Sequence, residues 1–171
     1  MSRPPLIIVL VAVLVIALGE LGGAVLSQLR PAAARWVAAR VVADPAVHGL
    51  SGSAEYDEEV RDRTVFAVEA GLSFFHTHAE GTGLVLFFTS TLVASVVPGV
   101  RARTALYLLL TGGALFPLGY LTYALAVLQL GRDAGVELAE RWVLTPFGVA
   151  AIVGILGLAA ALARRPTPEE G

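Results

Sequence analysis

The stretch Phe74-Phe-His-Thr-His-Ala-Glu-Gly-Thr-Gly83 runs without interruption into LVLFFTSTLVASVV, residues 84–97. Such a run is comfortable only in a lipid bilayer or a protein core. Two of the chain's three histidines and a glutamate stand at its mouth. Followed upstream to Val65, the segment 65–97 exceeds the ~20 residues a helix needs to cross ~30 Å of hydrocarbon. Three more segments of that kind lie outward from it, at about residues 5–29, 104–130 and 142–163. Arg3 followed by Leu6–Leu18 also has the look of a signal peptide. No small-x-small cleavage site follows it, however, and apolar character resumes after Gly23, so the first segment reads as a retained span.

The composition agrees. Of 171 residues, 56% are hydrophobic and 15% charged, with a mean hydropathy of +0.75. Soluble domains carry roughly 25% charged residues, so burial against lipid is the economical reading. A net charge of −2 offers no footprint for nucleic acid. Cysteine is absent, which excludes disulfides, thiolate metal sites and covalently attached haem. The expected fold is therefore all-α. It is an integral membrane four-helix bundle forming one domain over residues 1–171, with an outer segment, 30–64, between spans one and two.

Every basic residue is arginine, and the arginines suggest an orientation. Arg3, the link carrying Arg101 and Arg103, and the tail start at Arg164–Arg165 lack nearby acids. Segments 30–64 and 131–141 hold most of the acids. Under the positive-inside rule both termini are cytoplasmic, in a multi-pass protein of the cell membrane. In the outer segment, Pro31 suits the first turn of a short interfacial helix, PAAARWVAARVVA, ended by Asp44-Pro45. Ser53 is placed to cap the next helix. Glu59–Arg63 and Asp57–Arg61 are spaced to pair along it. The tail RRPTPEEG reads as disordered.

At 1.5 Å rise per residue, polar and helix-breaking residues from all four spans fall in one outer layer. Glu20 comes from span one, His76 and Glu80 from span two. Pro117, Tyr120 and Tyr123 come from span three, and Thr145 and Pro146 from span four. Glu69, Ser73, His76, Glu80 and Gly83 recur at spacings of four and three, so they form one stripe. His78 lies about 200° around the helix from His76. An ionisable residue within a span marks function by default. The bland alternative is that Glu20 pairs with His76 or Glu80 to lock the bundle, with Tyr120 as a further donor.

Three chemistries suit a histidine-bearing helix mouth. One is haem against His76 or His78, with Gly81 and Gly83 letting a flat group approach and Phe74, Phe75 and Phe116 around it. A second is a transition-metal ion held by His76, His78, Glu80 and Glu20. The third is a proton- or ligand-linked relay without a cofactor. No Ser-His-Asp set, phosphate loop or HExxH pattern is present, so no catalytic residue is assigned.

The pattern Phe74-x-His76-Thr77-His78-x-x-x-x-Gly83, leading into an apolar span, resembles the HxH-type helix of small membrane proteins related to haem–copper oxidase subunit I. The resemblance implies that His76 or His78 ligates haem b. It covers this helix alone. Spans three and four hold no histidine, so the haem would have one histidine ligand, or take a second from the same HxH or from a partner subunit. The expectation is an outward-facing site for haem or a metal ion, auxiliary to electron transfer. The competing class is a non-catalytic accessory subunit or small transporter whose carboxylates pair or relay protons. A membrane protein or a second copy is the expected partner.

Overall fold

The computed structural model describes residues 3–164. Arg165 and the tail beyond it, read above as basic and disordered, lie outside the described residues. The elements in chain order are α1 (Leu6–Ala43), α2 (Pro45–His48), α3 (Ala54–Val96), α4 (Val100–Gly113), α5 (Leu118–Leu130), α6 (Arg132–Ala139), a π-helical turn (Glu140–Leu144) and α7 (Thr145–Ala163). No strand occurs among the described residues. Four rods result: α1, α3, α4 with α5, and α6 with the π turn and α7. Each is long and apolar enough to cross a membrane.

The rods run alternately up and down. One end of the bundle, the terminal end, carries the start of α1, the α3–α4 turn and the end of α7. The opposite, hairpin end carries α2 and the α5–α6 turn, where Gly131 sits close to the Val47 carbonyl. Helix α1 packs chiefly on α3, α3 on α4 and α5, and α4 on α7. Near the terminal end all four rods meet in a core of Ile8, Ala12, Leu86, Val93, Leu110 and Leu158, among others. A second core at the hairpin end joins Val37 and Val41 of α1 to Val68 of α3 and to Ala124 and Leu128 of α5. The outer surface is apolar as well: Leu14, Phe88, Leu108 and Ile152 are exposed. Such side chains cost nothing where the neighbour is lipid.

The outer segment departs from expectation. Instead of a short helix starting at Pro31, α1 continues unbroken through Pro31 to Ala43. A proline in a helix interior gives up one hydrogen bond. Burial of Val37 and Val41 in the second core outweighs that loss. The segment thus lengthens spans one and two into a helical cap, with only α2 and the loop 49–53 between them. Ser53 makes no side-chain cap. Asp57 reaches back instead, accepting from the Ser51 and Gly52 amides at 2.7 and 3.0 Å. Arg61 therefore pairs with Glu58 and Asp62 rather than with Asp57, whereas Glu59–Arg63 forms as expected.

Spans three and four are each interrupted. Between Gly113 and Leu118 the third tightens into three-residue turns, with Leu115, Phe116 and Leu118 amides donating to Gly112, Gly113 and Leu115 carbonyls. Pro117 supplies no amide to continue the α pattern. In the fourth, Pro146 leaves the Trp142 carbonyl without its usual donor, and the Thr145 amide donates five residues back to Glu140.

Candidate functional site: two imidazoles on opposite faces of α3

The face of α3 toward α1 carries Glu69, Ser73, His76, Glu80 and Gly83, the stripe expected from spacing. It meets α1 antiparallel in a register that repeats every seven residues on both helices. A Cβ on Gly83 would strike Ile16, one on Gly23 would lie 2.5 Å from His76 Cε1, and Arg30 binds Glu69. A Cβ on Gly19 would come within 2.9 Å of Ala79 Cβ and 3.1 Å of the His76 carbonyl. The GELGG run therefore exists to let two helices touch, with the imidazole lying over Gly23. Gly83, expected near a cofactor, is spent on this contact.

The His76 ring is held at one nitrogen. Its Nδ1 lies 2.9 Å from the Gly19 carbonyl and 2.8 Å from Glu80 Oε1. A carbonyl only accepts, so Nδ1 carries the proton and shares it between the two oxygens. Two turns toward the hairpin end, Arg30 Nε and Nη2 both donate to Glu69 Oε2, at 3.1 and 2.9 Å. Between these pairs lies a cleft of about 370 Å³ lined by Ser27, Arg30, Glu69, Ser73 and His76. Glu20 is exposed and has no hydrogen bond or ion pair among the described residues. The register sets it level with Ala79, between His76 and Glu80.

His78 looks the other way, toward α4 and α5. Its Nδ1 donates to the Phe74 carbonyl at 2.9 Å. Its ring lies 4.7 Å from Tyr120, 5.9 Å from Phe116 and 6.1 Å from Phe74. The break in span three makes this nest by bringing Phe116 round beside Tyr120. Below it opens a cavity of about 350 Å³ lined by His78, Gly81, Thr82, Gly113 and Ala114, and by Ala151 of α7. A Cβ on Gly81 would meet nothing within 4 Å, so this glycine leaves open space where those on α1 do not.

The polar layer is thus two groups. Among the described residues no three of His, Asp and Glu converge in a way that could hold a metal ion. His76 and His78 face apart, and Glu80 serves the His76 Nδ1–H. Tyr123 packs its ring on Gly71 and lines a separate outer cleft with Asp62, Arg63 and Arg132. Thr145 is exposed and bonds to none of the other site residues. Phe116, expected near the histidines, lies beside His78, and two features escaped the sequence reading: Arg30 as the partner of Glu69 and the Gly113–Ala114 wall of the cavity. The seven-residue spacing of Ile16, Gly23 and Arg30 against Gly83, His76 and Glu69 is the signal for the first, and Gly112-Gly113 before Pro117 is the signal for the second.

Both imidazoles meet the usual requirement for a ligating histidine, an anchored ring N–H with the other nitrogen left as a lone pair. The cleft at His76 is polar, with Ser27, Arg30, Glu69 and Ser73 in its lining, and only His78 also has aromatic walls and an open glycine at its cavity. That donor set suits one axial ligand to a flat apolar group, and it does not suit a chelated ion. Comparison of the chain with protein-family profiles, with curated proteins and with solved structures finds no match.

Proposed function

We propose that the chain is a multi-pass protein of the cell membrane, termini cytoplasmic, that binds haem at the α3–α4–α7 cavity through His78 Nε2. The observation carrying this reading is the His78 geometry. Its Nδ1–H is committed to the Phe74 carbonyl, and the ring stands over an apolar cavity with Gly81, Gly113, Ala114 and Ala151 in its walls and Leu86, Leu110 and Ile155 farther from the ring. Haem bound there would supply one-electron transfer. Around it Phe74, Phe116 and Tyr120 fix the ring plane and exclude water, and the Phe74 carbonyl holds the proton at Nδ1. His76 lies outside this site and has a positioning role between α1 and α3.

Purified protein, expressed with adequate haem, should show a Soret band that His78→Ala abolishes and His76→Ala retains. A colourless wild type, or a band lost only with His76→Ala, overturns the assignment. The second reading is the accessory bundle in which carboxylates lock helices. It is favoured by Arg30–Glu69 and by the His76–Glu80–Gly19 contact, and it predicts colourless protein destabilised by Glu80→Ala.

A further inference from the structure

One flank of the α1/α3 pair is polar where its surroundings are apolar. By helical phase, Glu20 and Ser27 of α1 lie on the same side as Ser73, His76 and Glu80 of α3. His76 and Glu80 remain about a third exposed there, at 30% and 32% of their side chains. Glu20 is exposed without a partner, and His76 Nε2 takes no hydrogen bond among the described residues. In hydrocarbon, neither group finds a partner in lipid. We infer that a second copy of this chain covers the flank, with Glu20 of each copy hydrogen-bonded to His76 Nε2 of the other.

Three observations commit the surface to a second copy. First, the flank is self-complementary, because it offers one unpaired carboxyl and one unpaired imidazole nitrogen. A two-fold contact makes the same bond twice. Second, the depths agree. Two copies inserted with the same topology are related by an axis along the membrane normal, which keeps every residue at its own depth. The register with Ala79 sets Glu20 within about a turn of His76, an offset of about 4.5 Å that the two side chains span without sliding one copy past the other. Third, the proton count closes. Nδ1–H is already donated to Gly19 and Glu80, so Nε2 and the Glu20 carboxyl are left to share one proton between copies. The interface lies opposite the His78 cavity, and it stands or falls apart from haem binding.

The chain has no cysteine, so single cysteines report contact between copies alone. Ala24→Cys, Ser27→Cys, Ala70→Cys and Ser73→Cys, treated in membranes with a short bis-maleimide, should include positions that give a band of twice the monomer mass. Ile152→Cys, exposed on α7, should give at least tenfold less. Native mass spectrometry of the wild type in detergent should show two copies. Adding Glu20→Leu should cut cross-linking several-fold, and Glu20→Gln should retain it, since an amide still donates to Nε2. A single-copy mass with no cross-link at any of the four flank positions overturns the proposal. So does a band as strong from Ile152→Cys, which signals random collision, or a flank cross-link only to a different protein.

Discussion

Gly23 of α1 and Gly81 of α3 make opposite demands, although both stand within two turns of His76. A side chain at Gly23 would occupy the space of the His76 ring. Gly23→Val should therefore displace the imidazole from Gly19 and Glu80 and separate the helices. The expected loss is about 1–3 kcal/mol, as for other overpacked cores, read as a lower midpoint of thermal unfolding in detergent. An unchanged midpoint would refute the close contact. Gly81 has open space, so Gly81→Ala should leave the haem-free protein as stable or up to about 1 kcal/mol more so. Gly81→Leu should fill the cavity without unfolding the chain and, if haem binds there as proposed, suppress the Soret band. At this scale the sequence was informative about stripes: the four-and-three spacing put Glu69, Ser73, His76, Glu80 and Gly83 on one face, as found. It offered span one as a neighbour of that face through Glu20, but not which stripe residues make the close contact. Gly81 and Gly83 therefore read alike, although one opens a cavity and the other seals a contact. Glu20 and Glu80, read as one site, share a depth and a flank, but Glu80 bonds to the imidazole of its own helix.

Among elements, α1 tests whether local signals or packing set helix boundaries. Pro31 is a conventional first-turn residue, and local reading begins a helix there. The structure runs α1 through it because Val37 and Val41 find a core against α3 and α5. The two views give opposite signs for Pro31→Ala. If Pro31 opened a helix, alanine would remove a favourable restraint and lower stability. In a continuous α1, alanine restores an amide donor to the Ser27 carbonyl. Because an interior proline costs ~3 kcal/mol, the unfolding midpoint should rise. A fall would mean that a separate helix starts at Pro31. The breaks in spans three and four were half legible. Pro117 and Pro146 announced distortion, and Phe116 was expected near the histidines, but neither proline told that the third span would tighten from Gly113 or that the fourth would widen into a π turn at Glu140–Leu144. Those outcomes depend on what α4 and α7 pack against, and one-dimensional spacing does not carry that.

For the whole molecule, the four rods were plain in the hydropathy, and their alternation brings both described ends of the chain to one end of the bundle. At the other end the turn around Gly49 and Gly52, where φ is 69° and 86°, is exposed and polar. Protease added to the face opposite the termini should cut at residues 49–53 and nowhere within α1 or α3, giving two fragments. Cleavage there from the cytoplasmic side would invert the orientation drawn from the arginines. The two ends also differ in sharpness. At the terminal end, Pro98-Gly99 turns the chain abruptly and Arg103 Nε closes on the Val97 carbonyl at 2.5 Å. At the hairpin end, α1 and α3 simply carry on. With 38 and 43 residues they reach about 57 and 64 Å, well past any bilayer core. If the rods cross a bilayer as proposed, the sharp turn would hold the terminal end at one surface, while α1 and α3 would project beyond the other. A thicker membrane would then rise along the projecting helices, and its thickness would set how far His76 and His78 stand from water.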